Sequence, residues 1–445
     1  MFTKMRGKVS IIKSKIKQIR NNEEVLDTII VGVATLVGSV FSYLLQFVLG
    51  RKLSVEDYGT FNTLLSLTTI VGVLSGVLGT SLIKVSAEMH AKDKNNGKLE
   101  YFLYKTLVFS FLALIASFLL GVLFSNFVSI YLNINDRILI ILLGLFVGFS
   151  FLLIVPTAFL QGVQKFKRYS VFHVVTMILR LLIPMVFVFA GFSVRGVWVG
   201  LSLSYIFSFL LGMLLLQIKV RSVEKRDISS YLEKLKSLFV SIILVNFALM
   251  FLNNIDVIMV KKFFSPIEAG YYSGTVTLGK ILLFGAGAFT TVMFPRITAL
   301  YVNGKEFTHK LKMIFFLLLG VLFVGVLCYR IFPEFLTKVF FGEAFMSSQE
   351  YLPLFSIFVA IYVLINFLVM FFLAIDKKAV GFLLLPGVVA QYILLNIFHE
   401  SLWDVININI GVSAFTLVLL LVYFYFSVLE KKEGLDETSG SALLP

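Results

Sequence analysis

The chain has 445 residues, of which 59% are hydrophobic and 14% are charged. A soluble domain of this length does not reach such an apolar content, so the composition excludes a soluble enzyme or binding module. The net charge of +14 reflects membrane topology and anionic lipid head groups rather than nucleic-acid binding, because the basic residues are distributed by membrane side. A single cysteine and four scattered histidines argue against a disulfide or a metal site.

Apolar runs of about 20 residues, each long enough to cross a hydrocarbon core of about 30 Å, recur along the whole chain. They predict an all-α polytopic membrane protein with twelve transmembrane spans. We place the predicted spans at residues 27–49, 57–83, 106–130, 138–160, 170–190, 196–217, 238–260, 270–295, 312–331, 351–374, 380–398 and 405–429.

The basic residues predict the orientation of these spans. With the N-terminus inside, the internal segments hold 29 Lys and Arg residues and the external segments hold 8, while Arg180 and Lys280 lie within spans. This bias follows the positive-inside rule. We therefore expect a multi-pass protein of the plasma (inner) membrane with both termini in the cytoplasm.

The spans divide into two halves of six, which must run in the same direction through the membrane. The predicted organisation consists of a basic cytoplasmic N-terminal segment 1–26, an N-lobe 27–218, a charged cytoplasmic linker 219–236, a C-lobe 237–430 and a cytoplasmic tail 431–445.

An internal repeat relates the two halves. Shifted by 211 positions, residues 51–80 fall on residues 262–291, so that Ser54 meets Ser265 and Gly59 meets Gly270. Within these stretches, polar side chains recur at helical spacing on one face of each span. The stripe comprises Asn62, Ser66 and Thr69 in the second span and Ser273, Thr277 and Lys280 in the eighth; Gln46, Asn246 and Asn253 continue it in the first and seventh spans.

A polar stripe in hydrocarbon must face protein or water rather than lipid. The stripe predicts a central polar cavity between two parallel six-helix lobes, lined by spans 1, 2, 7 and 8. Close helix packing through small residues is the alternative. It accounts for Gly76 and Gly287 in the repeat, but it accounts poorly for Lys280 and Asn253.

Three charged residues lie inside predicted spans, away from the span ends. Arg180 either holds an anionic head group or bonds carbonyls freed by Pro184. Lys280 either faces the cavity or extends along the helix to the outer interface. Asp256 either binds a coupling cation, pairs with Lys261 or Lys262, or stabilises Arg180.

Residues near the outer ends of the spans have mainly structural interpretations. Asp57 and Glu268 each follow a serine by three residues, as in capping boxes. The basic residues at this face either attract an anionic substrate or lie at a solvated edge; they are Arg51, Lys52, Lys261 and Lys262.

Four segments resemble the polysaccharide flippases of the multidrug/oligosaccharidyl-lipid/polysaccharide exporter (MOP) superfamily. They are LGRKLSVEDYGTFNTLLSL, VKKFFSPIEAGYYSGTVTLGK, NNIDVIMV and FLQGVQKFKRYSVFHVVTMILRL. The resemblance covers residues 25–430 and implies a MATE-like fold with a V-shaped central cavity. It also implies transfer of polyprenyl-diphosphate-linked oligosaccharide to the outer leaflet, with Arg180 and Lys280 meeting the diphosphate. Partners would be that lipid, the surrounding membrane lipids and other polysaccharide-assembly proteins.

Other classes remain as alternatives. A cation-coupled multidrug antiporter of the same superfamily would favour an acidic cavity, for which Asp256 is the sole candidate. Lipid II flippases usually carry two further helices, and major facilitator carriers have a characteristic turn after the second span that residues 85–102 lack. A glycosyltransferase or polymerase would need a large outer loop. No Walker loop is present, so we expect a non-enzymatic transporter without a cofactor, coupled to protons or sodium.

Overall fold

The computed structural model describes residues 23–92, 97–218 and 226–429. Most of the predicted N-terminal segment 1–26, part of the linker 219–236 and the tail 431–445 lie outside the described residues. Within the described ranges every regular element is helical.

We number the α-helices in chain order. They are α1 (Glu23–Lys52), α2 (Val55–Val71), α3 (Val73–Lys92), α4 (Gly97–Tyr131), α5 (Arg137–Gly162), α6 (Phe166–Phe189), α7 (Val194–Leu216), α8 (Ser229–Leu252), α9 (Ile255–Phe263), α10 (Pro266–Val302), α11 (Thr308–Ile331), α12 (Pro333–Phe341), α13 (Leu352–Ala374), α14 (Val380–Ile397) and α15 (Leu402–Phe424). A 3₁₀ helix, Glu343–Gln349, follows α12, and a π-helical turn, Tyr425–Leu429, ends the described chain.

Eleven helices in the described ranges are long and apolar enough to cross a membrane, and α2 with α3 supplies a twelfth span. The predicted fold class, an all-α polytopic protein with twelve spans, is confirmed. The second span is interrupted at Gly72, whose N–H donates a 2.7 Å hydrogen bond to the Thr68 carbonyl. A Cβ atom at this position would lie 2.6 Å from that oxygen, so the interruption requires glycine.

The seventh span differs from its prediction. We expected one continuous helix over 238–260, but α8 ends at Leu252 and α9 begins at Ile255. Asn253 and Asn254 form the break, and both side chains are buried. Consecutive asparagines favour a break because their short polar side chains bond nearby backbone groups in non-helical conformations.

The chain forms two compact units. The first comprises the described parts of Met1–Phe47, Leu74–Val128 and Asp136–Phe239; the second comprises those of Val48–Val73, Ser129–Asn135 and Val240–Pro445. The lobe boundaries 27–218 and 237–430 stay a prediction.

Close helix contacts organise the first unit. Gly121 of α4 and Gly144 of α5 approach so closely that a Cβ on Gly144 would lie 2.8 Å from the Gly121 Cα. A Cβ on Gly200 of α7 would lie 2.5 Å from the Cα of Pro184 on α6. Small residues permit such approaches between membrane helices. At one end of the unit, α3 to α7 and the start of α8 bury a continuous apolar cluster.

The second unit contains a comparable contact between α2 and α10. A Cβ on Gly59 would lie 2.7 Å from the backbone nitrogen of Gly270, so neither position accommodates a side chain without movement. Next to this contact, the hydroxyl groups of Tyr58 and Thr277 are 2.9 Å apart. The repeat-related glycines, Gly59 and Gly270, therefore form a packing point.

The 211-residue repeat extends beyond the first two spans of each half. Shifted by that offset, α4 covers residues 308–342, the positions of α11 and α12 together. The second copy is interrupted at Pro333, whose ring cannot continue the helix. Shifted likewise, α6 covers residues 377–400, which contain α14, and Arg180 falls on Gln391.

Candidate functional site

The break in the seventh span is sealed by side chains that bond backbone carbonyl groups in the last turn of α8. The Asn254 amide donates to the Met250 carbonyl at 2.8 Å. Tyr362 donates to the Leu249 carbonyl at 2.9 Å, and Gln391 donates to the Leu252 carbonyl at 3.1 Å. Unpaired backbone groups are strongly unfavourable in a membrane interior. Broken helices sealed in this way form the binding sites of many transporters.

A buried polar network surrounds Asp256, in the first turn of α9. Its Oδ2 atom accepts hydrogen bonds from Tyr272 at 2.6 Å and from the Asn409 amide at 3.1 Å. Gln391 donates to the Asn409 side-chain oxygen at 2.8 Å, which links α14 and α15 to the break. Asp256, Tyr272 and Asn409 are fully buried, and Gln391 is nearly so.

Two acceptor atoms in this network lack a donor. Asp256 Oδ1 and Gln391 Oε1 are buried and have no hydrogen-bond partner among the described residues. Buried acceptors without donors suit a proton or a cation. Asn409 connects the two residues, because it donates to Asp256 and accepts from Gln391.

Lys280 on α10 also reaches the break. Its Nζ atom donates a 2.9 Å hydrogen bond to Asn254 Oδ1, and the side chain is half-buried. The ammonium group also attracts the Asp256 carboxylate electrostatically. The side chain bonds Asn254 rather than extending to the outer interface, and its contact with a cavity stays a prediction.

The expected partners of Asp256 do not match those observed. The sequence suggested Lys261, Lys262 or Arg180, whereas the hydrogen-bond partners are Tyr272 and Asn409. Lys262 instead bonds the Asn396 side chain at 3.2 Å.

Arg180 lies in the middle of α6 within the first unit. Its Nε atom is buried and has no hydrogen-bond partner among the described residues, so it is not engaged with a carbonyl freed by Pro184. His173 and Met177 share its helix face at i, i+4 and i+7 spacing. That face packs against α1, where Ser42 Oγ donates to Met177 Sδ at 3.7 Å. Arg180 thus lies on the α1-facing side of its helix.

The predicted cavity stripe is largely buried in this conformation. Asn62, Ser66, Ser273 and Thr277 are each 1–8% exposed, and all belong to the second unit. Several satisfy their own polar groups locally, as when Ser273 donates to the Ala269 carbonyl at 2.7 Å. Of the remaining members, Asn253 is buried, whereas Thr69, Gln46 and Asn246 are half-buried. Their contact with a substrate stays a prediction.

Small-residue packing does not account for the later glycines of the repeat. A Cβ atom on Gly76 or on Gly287 would meet no described atom within 4 Å. The interpretation of these two as packing residues is therefore wrong, and Gly59 and Gly270 have that role.

The expected caps are present where the structure describes them. Ser265 and Glu268 form a reciprocal capping box at the start of α10, and Ser54 accepts from the Asp57 N–H at 3.1 Å at the start of α2.

Among the outer basic residues, Lys261 is buried and Arg51 donates to the Val339 and Phe340 carbonyls. The expectation of a solvated edge is therefore wrong for Lys261, whereas Arg51 is exposed.

A family model described as "Polysaccharide biosynthesis protein" matches residues 25–301, more than half of the chain. The chain belongs to this family. No curated protein sequence matches it.

Solved structures of MOP superfamily transporters share the fold. The lipid II flippase MurJ, in an inward closed conformation, aligns with a TM-score of 0.69 at 14% identity, covering 90% of this chain and 87% of that one. An inward-facing MATE-family multidrug resistance transporter aligns at 0.66 and 16% identity, covering 89% and 95%. A MOP superfamily transporter from Pyrococcus furiosus aligns at 0.59 and 16% identity, covering 91% and 95%. The MATE-like fold predicted from the sequence is confirmed.

Sequence reasoning did not select four residues of the Asp256 network. Asn254, Tyr272, Gln391 and Asn409 lie in or beside apolar spans, and each could have been selected as an uncharged polar residue at membrane depth. The repeat offers a further signal for Gln391, since it is the image of Arg180.

Proposed function

We propose that this transporter flips a polyprenyl-diphosphate-linked oligosaccharide from the cytoplasmic to the outer leaflet for cell-surface polysaccharide synthesis. The observation that carries the proposal is the buried Arg180 Nε atom, which has no protein acceptor among the described residues. An arginine stays charged in the membrane and binds phosphate groups with paired N–H donors. An anionic ligand would supply the missing acceptor.

Lys280 would provide the second cation. Its present partner, Asn254 Oδ1, is a neutral acceptor, so a diphosphate could displace that bond for a stronger, charge-assisted one. The Asn and Ser side chains of the predicted stripe would then bond sugar hydroxyls.

The physical demand on such a flippase is to move the diphosphate, because the lipid tail can remain in the bilayer. An ion loses several kcal/mol of solvation on burial even after relaxation, so the head group needs a hydrated, positive path. Arg180 and Lys280 are the two cations that lie within predicted spans away from the span ends. They suit an anionic substrate better than a cationic one.

We assign energy coupling to Asp256. Its Oδ1 atom and Gln391 Oε1 would receive a proton or a sodium ion, and Tyr272 and Asn409 hold the carboxylate in place. A charge change here would act on Lys280 through the attraction between the ammonium group and the carboxylate.

A cation-coupled multidrug antiporter is the second candidate, and the buried Asp256 is the observation that favours it. Acids in such a site attract cationic drugs. Here Tyr272 and Asn409 already bond the carboxylate, and Lys280 lies nearby, which disfavours a drug cation at this position.

Translocation of a labelled lipid-linked oligosaccharide in reconstituted vesicles tests the proposal. Arg180→Gln should leave the protein folded and inserted but reduce translocation sharply, whereas Arg180→Lys should retain part of it. Arg330→Gln, at the end of α11, is the matched control and should translocate normally. Normal translocation by Arg180→Gln would show that residues other than Arg180 bind the diphosphate.

A further inference from the structure

The short helix α12 follows α11 directly, with Phe332 as the only residue between them. Pro333 lacks an N–H group and ends the preceding helix, while its fixed φ angle suits the first position of the next. The topology prediction assigns this end of α11 to the external face of the membrane.

The faces of α12 have three different environments. Thr337 is fully buried and Phe341 is 2% exposed, so they form the face packed on the protein. Phe332, Phe335 and Val339 are 52%, 63% and 44% exposed. At 3.6 residues per turn these three apolar side chains fall within an arc of about 60°, away from the packed face.

Charged residues occupy the exposed arc on one side of the helix, between the apolar arc and the packed face. Glu334 and Lys338 are exposed, and Lys338 Nζ pairs with Glu343 Oε1 at 2.6 Å. Both side chains of this pair are more than half exposed, as expected for groups in water. The helix therefore separates a polar exposed arc from an apolar exposed arc.

Two contacts fix α12 to the rest of the second unit. Arg51, in the last turn of α1, donates to the Val339 and Phe340 carbonyls, where the last turn of α12 leaves acceptors free. The Phe341 ring packs against Gly50, where a Cβ would lie 2.1 Å from a ring atom, and against the Tyr58 ring.

We propose that α12 is an interfacial helix whose apolar arc, Phe332, Phe335 and Val339, inserts between the lipid chains of the external leaflet. Continuity with the preceding span identifies the bilayer as the occupant. The outer half of α11 exposes Phe323, Val324 and Ile331 at 62–66%, as a lipid-facing span does, and Phe332 follows Ile331 directly. An exposed apolar arc next to an exposed charged arc is the pattern of helices that lie in the membrane interface.

This placement gives α12 a mechanical role. One face is held by lipid, and the other is bonded through Arg51 and packed through Phe341 on the ends of α1 and α2. The helix therefore anchors these ends at the depth of the interface.

Site-directed spin labelling in vesicles tests the proposal. In a Cys328→Ser background, single labels are introduced as Phe335→Cys and Val339→Cys on the apolar arc. Glu334→Cys and Lys338→Cys, on the same helix, serve as matched controls. For each label, collision with lipid-soluble oxygen is compared with collision with a water-soluble nickel complex.

We expect the oxygen-to-nickel ratio to be several-fold higher at positions 335 and 339 than at 334 and 338. Two positions per arc keep the test decisive if one variant folds poorly. Equal ratios at all four positions would place the whole helix in water and overturn the proposal. Low accessibility of positions 335 and 339 to both reagents would indicate a protein cover and would also overturn it.

Discussion

Lys280 Nζ donates a 2.9 Å hydrogen bond to Asn254 Oδ1, at the point where the seventh span is broken. This bond joins a cation of α10 to the residue immediately before α9. Asp256, two residues further on, carries the buried carboxylate that attracts the same ammonium group. The proposed substrate contact and the proposed coupling group thus lie together at one break.

Lys280→Met should reduce translocation of the lipid-linked oligosaccharide by roughly tenfold or more. A hydrogen bond to a charged group contributes about 1.5–3 kcal/mol, and about 1.4 kcal/mol corresponds to a factor of ten. Initial rates in reconstituted vesicles measure this. Lys280→Arg keeps the cation and should retain part of the rate; equal loss in both variants would point to packing rather than charge.

Asp256→Asn should abolish the response of translocation to an imposed proton or sodium gradient. The variant keeps an acceptor for Tyr272 and Asn409 but no longer changes charge. Rates are compared with and without each gradient, so the responding ion is identified in the wild type. Asp376→Asn, which removes an exposed acid between α13 and α14, is the control. A gradient response that survives in Asp256→Asn would refute this assignment.

Gly59→Val should destabilise the protein by about 1–3 kcal/mol, as overpacking commonly does. A Cβ at this position would lie 2.7 Å from the Gly270 backbone nitrogen, so α2 and α10 must separate. The midpoint temperature of thermal unfolding in detergent measures the effect. Gly76→Ala, where the added atom meets nothing within 4 Å, should be neutral or slightly stabilising. Equal midpoints for the two variants would contradict the packing role.

A pH dependence is expected at the end of α3, outside the apolar part of the span. Hydrogen bonds from Lys234 and Lys92 lower the pKa of Glu88 from 4.5 to about 2. Because this pKa is depressed in the folded protein, the stabilisation is fully present above pH 4.5 and is lost as the pH falls towards 2. Glu88→Gln should therefore lower the unfolding midpoint at neutral pH, slightly since the pair is exposed.

The difference in midpoint between wild type and Glu88→Gln should shrink as the pH falls from 4.5 towards 2. Glu233→Gln removes an exposed acid next to Lys234 and serves as the control. A difference that does not vary with pH would show that Glu88 acts through packing instead.

The number and order of the spans could be predicted because each requires a long apolar run, and the length of such a run is visible locally. The break at Asn253–Asn254 was not predicted, since two polar residues hardly alter the apolar character of a 24-residue helix such as α8. The side chains of Tyr362 and Gln391 stabilise the break, and both residues lie more than 100 positions away from it in the sequence.

The candidate site was predicted only in part, because its contacts also join residues that are far apart in the sequence. Lys280 and Asp256 were selected because a charge within a span is conspicuous in any sequence. Tyr272 and Asn409 are common residues whose importance depends on which helices pack together. The roles of Gly59 and Gly76 were likewise indistinguishable until the helix contacts were known.

The most direct test of the proposed function compares substrates in one preparation of wild-type protein in vesicles. A lipid-linked diphosphate oligosaccharide and a cationic drug are supplied in parallel, and movement of each across the bilayer is followed over time. We predict protein-dependent translocation of the lipid-linked oligosaccharide and no protein-dependent movement of the drug. Movement of the drug without translocation of the lipid-linked oligosaccharide would contradict the proposal and favour the antiporter.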